Sequence, residues 1–148
     1  MAMSLIDNKK VNFNYEILDK YEAGIELLGL EVKSVKLGRG SLEGARVIIR
    51  GDEAFLIGAT IQPYQPGNTP QDYDQTHTRR LLLTKKELKE LVGKEAEKGL
   101  TIVPISMYNK GNKIKLSIAV AKGKKNYDKR ETIKKRDIER EVGRTLKR

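Results

Sequence analysis

Between Lys113 and Val120 the chain alternates strictly: Ile114, Leu116, Ile118 and Val120 are aliphatic, and Lys113, Lys115, Ser117 and Ala119 lie between them. A period of two places every second side chain on one face, so this stretch buries an apolar face and solvates the other only as a β-strand. Leu100 to Tyr108 reads as its partner, with Asn109 to Asn112 as the turn of a hairpin. The same period recurs upstream. Phe13, Tyr15 and Ile17 alternate with Asn14, Glu16 and Leu18, Ala23, Ile25 and Leu27 alternate with Gly24, Glu26 and Leu28, and Asp19 and Lys20 fall at the join of two predicted strands. Ala45 to Arg50 and Glu53 to Ile61 flank Gly51 and Asp52, a two-residue connection that closes hairpins.

Two helical segments interrupt the strands. Glu31 to Leu37 is short and amphipathic, with Val32 and Val35 spaced for one face and Gly38 and Gly40 to end it. Thr84 and Glu87 have the spacing of a capping box; Leu88, Leu91 and Val92 then give a buried stripe, and Gly99 is placed as the stop. Gln62 to Thr78 is polar, carries three prolines, and is long enough to suggest a working loop. A mainly β chain with a helix before its last hairpin suits a small antiparallel barrel, which hides strand edges by closure. The expected architecture is an OB-fold-like barrel over residues 1–121 followed by a basic tail over residues 122–148.

The tail holds 12 of the chain's 30 Lys and Arg but only 5 of its 20 acids. Concentrated positive charge on one segment points to a phosphate polymer, because each neutralised phosphate releases condensed counterions. Arg136, Arg140, Arg144 and Arg148 recur every four residues; Ile138, Val142 and Leu146 recur two positions later, on the opposite side of a helix. Like charges along one ridge and Gly143 disfavour that helix in isolation. The tail is therefore expected to be disordered when free and helical when an anionic surface holds the arginine ridge.

The chain contains no cysteine, which excludes disulfides, thiolate metal sites and a cysteine nucleophile. His77 is the only imidazole, and Asp72 and Asp74 beside it are the one grouping that an enzyme reading could use. No cofactor, no metal and no catalysis are expected. The first residues lack the pattern of a signal peptide and no apolar run reaches the ~20 residues of a membrane span, so a cytoplasmic location and no membrane partner are expected.

Four blocks in order carry a family resemblance: Tyr21 to Ile25 (YEAGI), Glu31 to Ser34 (EVKS), Thr78 to Leu83 (TRRLLL), and Ala119 to Arg130 (AVAKGKKNYDKR). Over essentially its whole length the chain resembles the SmpB family of SsrA-binding proteins, and the last block is the most specific. The resemblance implies an OB-fold protein that binds transfer-messenger RNA and brings it to stalled ribosomes for trans-translation. In that family the protein stands in for the missing anticodon arm, and its tail enters the decoding centre and the empty message channel. The implied partners are the tRNA-like domain of that RNA, bound one-to-one by a monomer, and small-subunit ribosomal RNA.

Carried over position by position, the resemblance implies RNA contacts at Asn8, Lys9, Glu22, Leu82 and Lys115. It implies ribosomal contacts at Lys122, Lys124, Lys125, Tyr127, Asp128, Lys129, Arg130, Arg136, Arg140 and Arg144. Other readings of these residues stay open: Leu82 in its apolar triplet suits a core, and Glu22 on a strand suits a lysine pair. Tyr127 stands where relatives often carry histidine, keeping a ring that stacks on a base but no titratable cation. Leu30 and Asn109 occupy positions where aromatics are common in the family, and Ile138 and Leu146 replace the usual tail hydrophobics. The alternative function is that of a general single-strand nucleic-acid binder with a nonspecific tail.

Overall fold

The structure, a computed structural model, describes residues 3–124. In chain order it comprises β1 (Met3–Asp7), α1 (Val11–Asn14), β2 (Tyr15–Ile25), α2 (Gly29–Lys36), β3 (Gly40–Ser41), β4 (Arg46–Arg50), β5 (Glu53–Ile57) and β6 (Thr60–Ile61). A 3-10 turn (Pro66–Asn68), β7 (Arg79–Leu82), α3 (Lys85–Ala96), β8 (Leu100–Lys110) and β9 (Lys113–Gly123) complete it. The main sheet runs β1, β8, β4, β5, β7, β2, β9, and β9 pairs back onto β8. Six antiparallel strands thus close a ring, the expected barrel. β1 adds to β8 outside the ring, and β3 pairs with β6 as a separate ribbon. Leu42, Leu56, Ile61, Leu91, Ile102, Met107, Leu116 and Ile118 fill the interior and are at most 1% exposed.

The structure departs from the sequence expectations in several places, each with a local cause. Phe13 lies in the single-turn helix α1, and Tyr15 to Ile25 form one strand, not two with a join at Asp19 and Lys20. The cause is a bulge opposite β9 between Ile17 and Asp19, where Leu18 is the extra residue. A bulge reverses the facing of the strand. Tyr15 and Ile17 consequently pack outside the barrel with Val11, Val103 and Ala121, while Tyr21 and Ala23 pack on its core.

β5 ends at Ile57, and the last hairpin turns over two residues, Gly111 and Asn112, not four. Gly111 supplies the positive φ, +62°, that so tight a turn demands. The Thr84 box forms as expected: Thr84 Oγ1 accepts from the Glu87 amide at 3.2 Å, and Glu87 Oε1 accepts from the Thr84 amide at 3.1 Å. Leu91 is the buried centre of α3, but Val92 is 48% exposed, so the expected stripe is narrower. The helix stops at Ala96, three residues before Gly99. β9 runs to Gly123, two residues past the expected end of the barrel, with Lys122 paired to both Glu16 and Leu100.

The loop from Gln62 to Thr78 is anchored by a buried ion pair. Glu31 of α2 and Arg79 of β7 are 0% and 1% exposed. Arg79 donates to Glu31 Oε2 through Nε at 3.0 Å and Nη2 at 2.6 Å. Its remaining N–H groups go to the carbonyls of Ala59, His77 and Gln75 at 3.0, 3.1 and 2.8 Å. All five guanidinium donors are satisfied, the condition under which a buried arginine is tolerated. The Tyr73 hydroxyl is shared between Glu31 Oε2 at 3.0 Å and the Ile61 carbonyl at 2.9 Å, and His77 Nε2 lies 2.9 Å from the same carboxylate oxygen. Glu31 Oε1 accepts from the Leu28 amide at 2.9 Å and so caps α2.

Replacing Glu31 by Gln leaves Arg79 buried without its counter-charge, and we expect a loss of about 3 to 5 kcal/mol in urea unfolding. Burial acts to raise the Glu31 carboxyl, but the Leu28 amide and the Arg79 guanidinium outweigh it and hold the group below its ordinary 4.5. Its stabilisation is complete above pH 4.5 and is lost as pH falls below that value. Burial, and then the hydrogen bond to Glu31, push Tyr73 up from 10.0 to about 12, so its contribution is complete below pH 10 and fades as pH rises toward 12. Urea midpoints measured across pH should fall at both extremes, and Tyr73→Phe should flatten the alkaline limb and, by removing one donor to Glu31, soften the acid limb to a smaller extent.

Candidate RNA-binding face

Residues opposite one another in antiparallel register share a face of the sheet. Leu82 of β7 stands opposite Gly24 of β2, Gly24 opposite Lys115 of β9, Lys115 opposite Tyr108 of β8, and Tyr108 opposite Ser4 of β1. A second row joins Glu22, Ser117, Ser106 and Asp7. The intervening Leu81, Leu116, Met107 and Ile6 belong to the core, so both rows face outward. Register alone therefore brings three of the five barrel residues carried over from the family, Glu22, Leu82 and Lys115, onto one outer surface.

Leu82 is 49% exposed and is not a core residue. It leans across β2 because Gly24 has no side chain: a Cβ there would stand 3.1 Å from Leu82 Cβ. Glu22 has the lysine partner that its strand position allowed, Lys110, whose Nζ lies 3.0 Å from Oε1. The Tyr108 hydroxyl donates to Oε2 of the same carboxylate. The Tyr108 bond first, and the Lys110 bond after it, hold the Glu22 carboxyl below its ordinary range. Desolvation, followed by that same bond, raises the Tyr108 hydroxyl well above its ordinary value, so it remains a donor throughout the physiological range.

Tyr108 and Lys110 were not among the residues singled out from the sequence. Reading the hairpin turn as four residues, Asn109 to Asn112, sets Tyr108 against Lys113. With the actual two-residue turn it stands against Lys115, in the middle of the row. The positive-φ preference of Gly111 was the available signal.

Asn8 and Lys9 follow Asp7 at the end of β1, and their circumstances differ. Asn8 is 9% exposed. Its backbone amide donates to the Ile105 carbonyl at 2.8 Å, and its Nδ2 donates to the Pro104 carbonyl at 2.9 Å. Those two carbonyls belong to a bulge between Pro104 and Ser106 that breaks the β8 ladder with β9. Asn8 thus satisfies the polar groups the bulge leaves over. Lys9 is exposed.

Lys122 lies within β9, and Lys124 is held on the barrel, its amide donating to the Asn14 carbonyl and its Nζ to the Asn12 carbonyl at 2.9 and 2.7 Å. These two residues are therefore part of the end of the barrel. Lys125, Tyr127, Asp128, Lys129, Arg130, Arg136, Arg140 and Arg144, and the expected tail helix, lie outside the described residues.

Within the Asp72, Asp74 and His77 grouping, Asp74 and His77 serve local structure and Asp72 is exposed. Asp74 Oδ1 accepts from the Thr76 amide at 2.9 Å and from its hydroxyl at 3.0 Å, bonds that lower the Asp74 carboxyl, while His77 spans Glu31 and the Thr78 carbonyl. Among the described residues no cluster of three or more His, Asp or Glu is arranged to hold a metal ion, and no helix is long and apolar enough to cross a membrane.

Asn8→Ala should lower stability by about 1 to 3 kcal/mol by leaving the Pro104 carbonyl short of its donor, while the backbone bond to the Ile105 carbonyl is retained. Lys9→Ala should leave stability within about 0.5 kcal/mol. Urea titration of both variants checks the contrast, and equal stability losses would contradict it.

A family profile described as SmpB protein matches residues 5–148. The chain is 48% identical over 145 residues to the SsrA-binding protein of Burkholderia lata, covering 98% of each sequence. To the SsrA-binding protein of Gloeothece citriformis it is 48% identical over 144 residues, 97% of this chain and 93% of that one. A solved chain from "tmRNA-SmpB: a journey to the center of the bacterial ribosome" superposes with a TM-score of 0.69 at 37% identity, covering 84% of this chain and 85% of the other.

Proposed function

The chain belongs to the SmpB protein family, and from that premise we propose that it binds transfer-messenger RNA and delivers it to stalled ribosomes for trans-translation. The observation that carries this reading is the convergence of Glu22, Leu82 and Lys115 on one outward face of the barrel, with Gly24 keeping the surface between them low. Lys115 neutralises phosphate, Leu82 offers an apolar contact to a sugar or base, and Glu22 accepts from base amino groups or orients its neighbours. Lys9 adds a phosphate contact at the edge. Asn8 holds the segment that presents Lys9, with RNA contact as a second role. No step in this function breaks or forms a covalent bond, and the protein works in the cytoplasm without a cofactor.

The division of labour places the tRNA-like domain on the barrel and the ribosome on the tail. Lys122 and Lys124 sit where the two parts meet, so the tail leaves the barrel from a fixed point. Lys125 and Tyr127 to Arg130 then address the decoding centre, and Arg136, Arg140 and Arg144 line one side of a helix that ribosomal RNA completes in the message channel. The family profile runs to residue 148, which supports reading the tail as part of the same function.

Two measurements test the proposal. Lys115→Ala should weaken binding to the tRNA-like domain and reduce the slope of log affinity against log salt by about 1. Truncation after Lys124 should leave tight binding to that RNA while abolishing peptide tagging on stalled ribosomes. A general single-strand binder would instead lose affinity for all RNAs in parallel on truncation, without preference for the tRNA-like domain.

A further inference from the structure

Tyr108 has the geometry of a participant in the outer face, although the family-derived set of contacts does not include it. It stands on β8, two strands away from Glu22 on β2, with β9 between them. Adjacent strands are about 4.8 Å apart, so a tyrosine and a glutamate two strands apart meet only if both lean over the intervening strand. At that point β9 presents Lys115 and the short Ser117 outward. Ser117 leaves the space, and the Tyr108 hydroxyl reaches Glu22 Oε2 across it. Lys110 Nζ takes the other oxygen, Oε1, at 3.0 Å.

We propose that Tyr108, assisted by Lys110, is a positioning residue of the RNA-binding face, fixing the Glu22 carboxylate in the orientation that receives hydrogen-bond donors from RNA. The proposal rests on the reading of this face as the site for the tRNA-like domain. An exposed glutamate otherwise samples several rotamers, and ordering it on binding costs affinity; a carboxylate already held by two donors has incurred that cost during folding. Each carboxylate oxygen has two acceptor positions. Tyr108 and Lys110 both reach Oε2, Lys110 at 3.4 Å, and Lys110 takes one position on Oε1, which leaves Oε1 the open acceptor for base amino or ribose hydroxyl groups. Lys110 and Lys115 nearby also offset the repulsion between a lone carboxylate and phosphates.

The test is a double-mutant cycle in the full-length protein, with the tRNA-like domain of transfer-messenger RNA as probe. Tyr108→Phe keeps the ring and removes only the oxygen; it should keep the thermal midpoint and the salt slope of the parent while weakening binding about three- to tenfold. In a Glu22→Ala background the same change should have no further effect. Lys110→Met should behave in the same way, with an added decrease in salt slope if its charge is also felt by phosphate. Full affinity of Tyr108→Phe would overturn the proposal, since the hydroxyl would then be dispensable. Multiplicative losses in the double variant would overturn it too, because the hydroxyl would be acting on something other than Glu22. If the parent protein fails to bind this RNA, the functional reading of the whole face falls, an outcome distinct from either of those.

Discussion

The buried pair of Glu31 and Arg79 holds together parts of the chain that have little else to fix them. α2 is eight residues long, too short to persist alone in water, and the segment from Gln62 to Thr78 contains only one 3-10 turn. One carboxylate caps α2 through the Leu28 amide and receives Arg79, Tyr73 and His77; one guanidinium ties the carbonyls of Ala59, Gln75 and His77 together. Ser34, three residues along α2, adds a bond from its hydroxyl to the Gln62 carbonyl at 2.7 Å. Neither charged group would be tolerated in the interior without the other. Because β7 begins at Arg79 and carries Leu82 three residues later, the pair also fixes the origin of the strand that contributes to the outer face.

That outer face is built by closure and by two bulges. Closing six strands into a ring sets the register of each against the next, so residues distant in sequence line up in rows. The bulges at Leu18 and between Pro104 and Ser106 reverse which face of β2 and β8 looks outward. Beyond them, toward Glu22 and Tyr108, the outer surface is polar and open. Before them the same side of the sheet is covered by Val11, Tyr15 and Ile17, so α1 occupies one part of the barrel exterior and leaves the rest free. Asn8 links the two regions, since the bulge carbonyls it satisfies lie at the boundary between them.

The resulting surface mixes charges instead of presenting a uniform positive patch. Glu22 lies among Lys110, Lys115 and Tyr108, and Arg80 is flanked by Glu26 and Glu53 at 3.5 and 3.2 Å. A surface of this kind selects by hydrogen bonding and shape, while concentrated cations attract any phosphate polymer. Such a mixed surface fits the division of labour proposed between the barrel and the basic tail.

Strand content, the capping box at Thr84, the turn at Gly51 and Asp52, and the burial of Leu116 and Ile118 were legible in the sequence, because each follows from local periodicity or local hydrogen bonding. The blocks EVKS and TRRLLL were legible as signatures, but the role of Glu31 and Arg79 as a buried pair was not: they are 48 residues apart, and nothing local says which charges find each other in the interior. For the same reason Leu82 was indistinguishable from a core leucine until Gly24 was set opposite it, and Tyr108 was invisible until the hairpin register was known. The sequence by itself determined that this chain makes an antiparallel barrel and carries a cationic tail, since period and charge are written residue by residue. Only the tertiary structure decided which side chains share a face, because bulges, turn length and ring closure fix register, and a shift of one residue in register exchanges inside for outside.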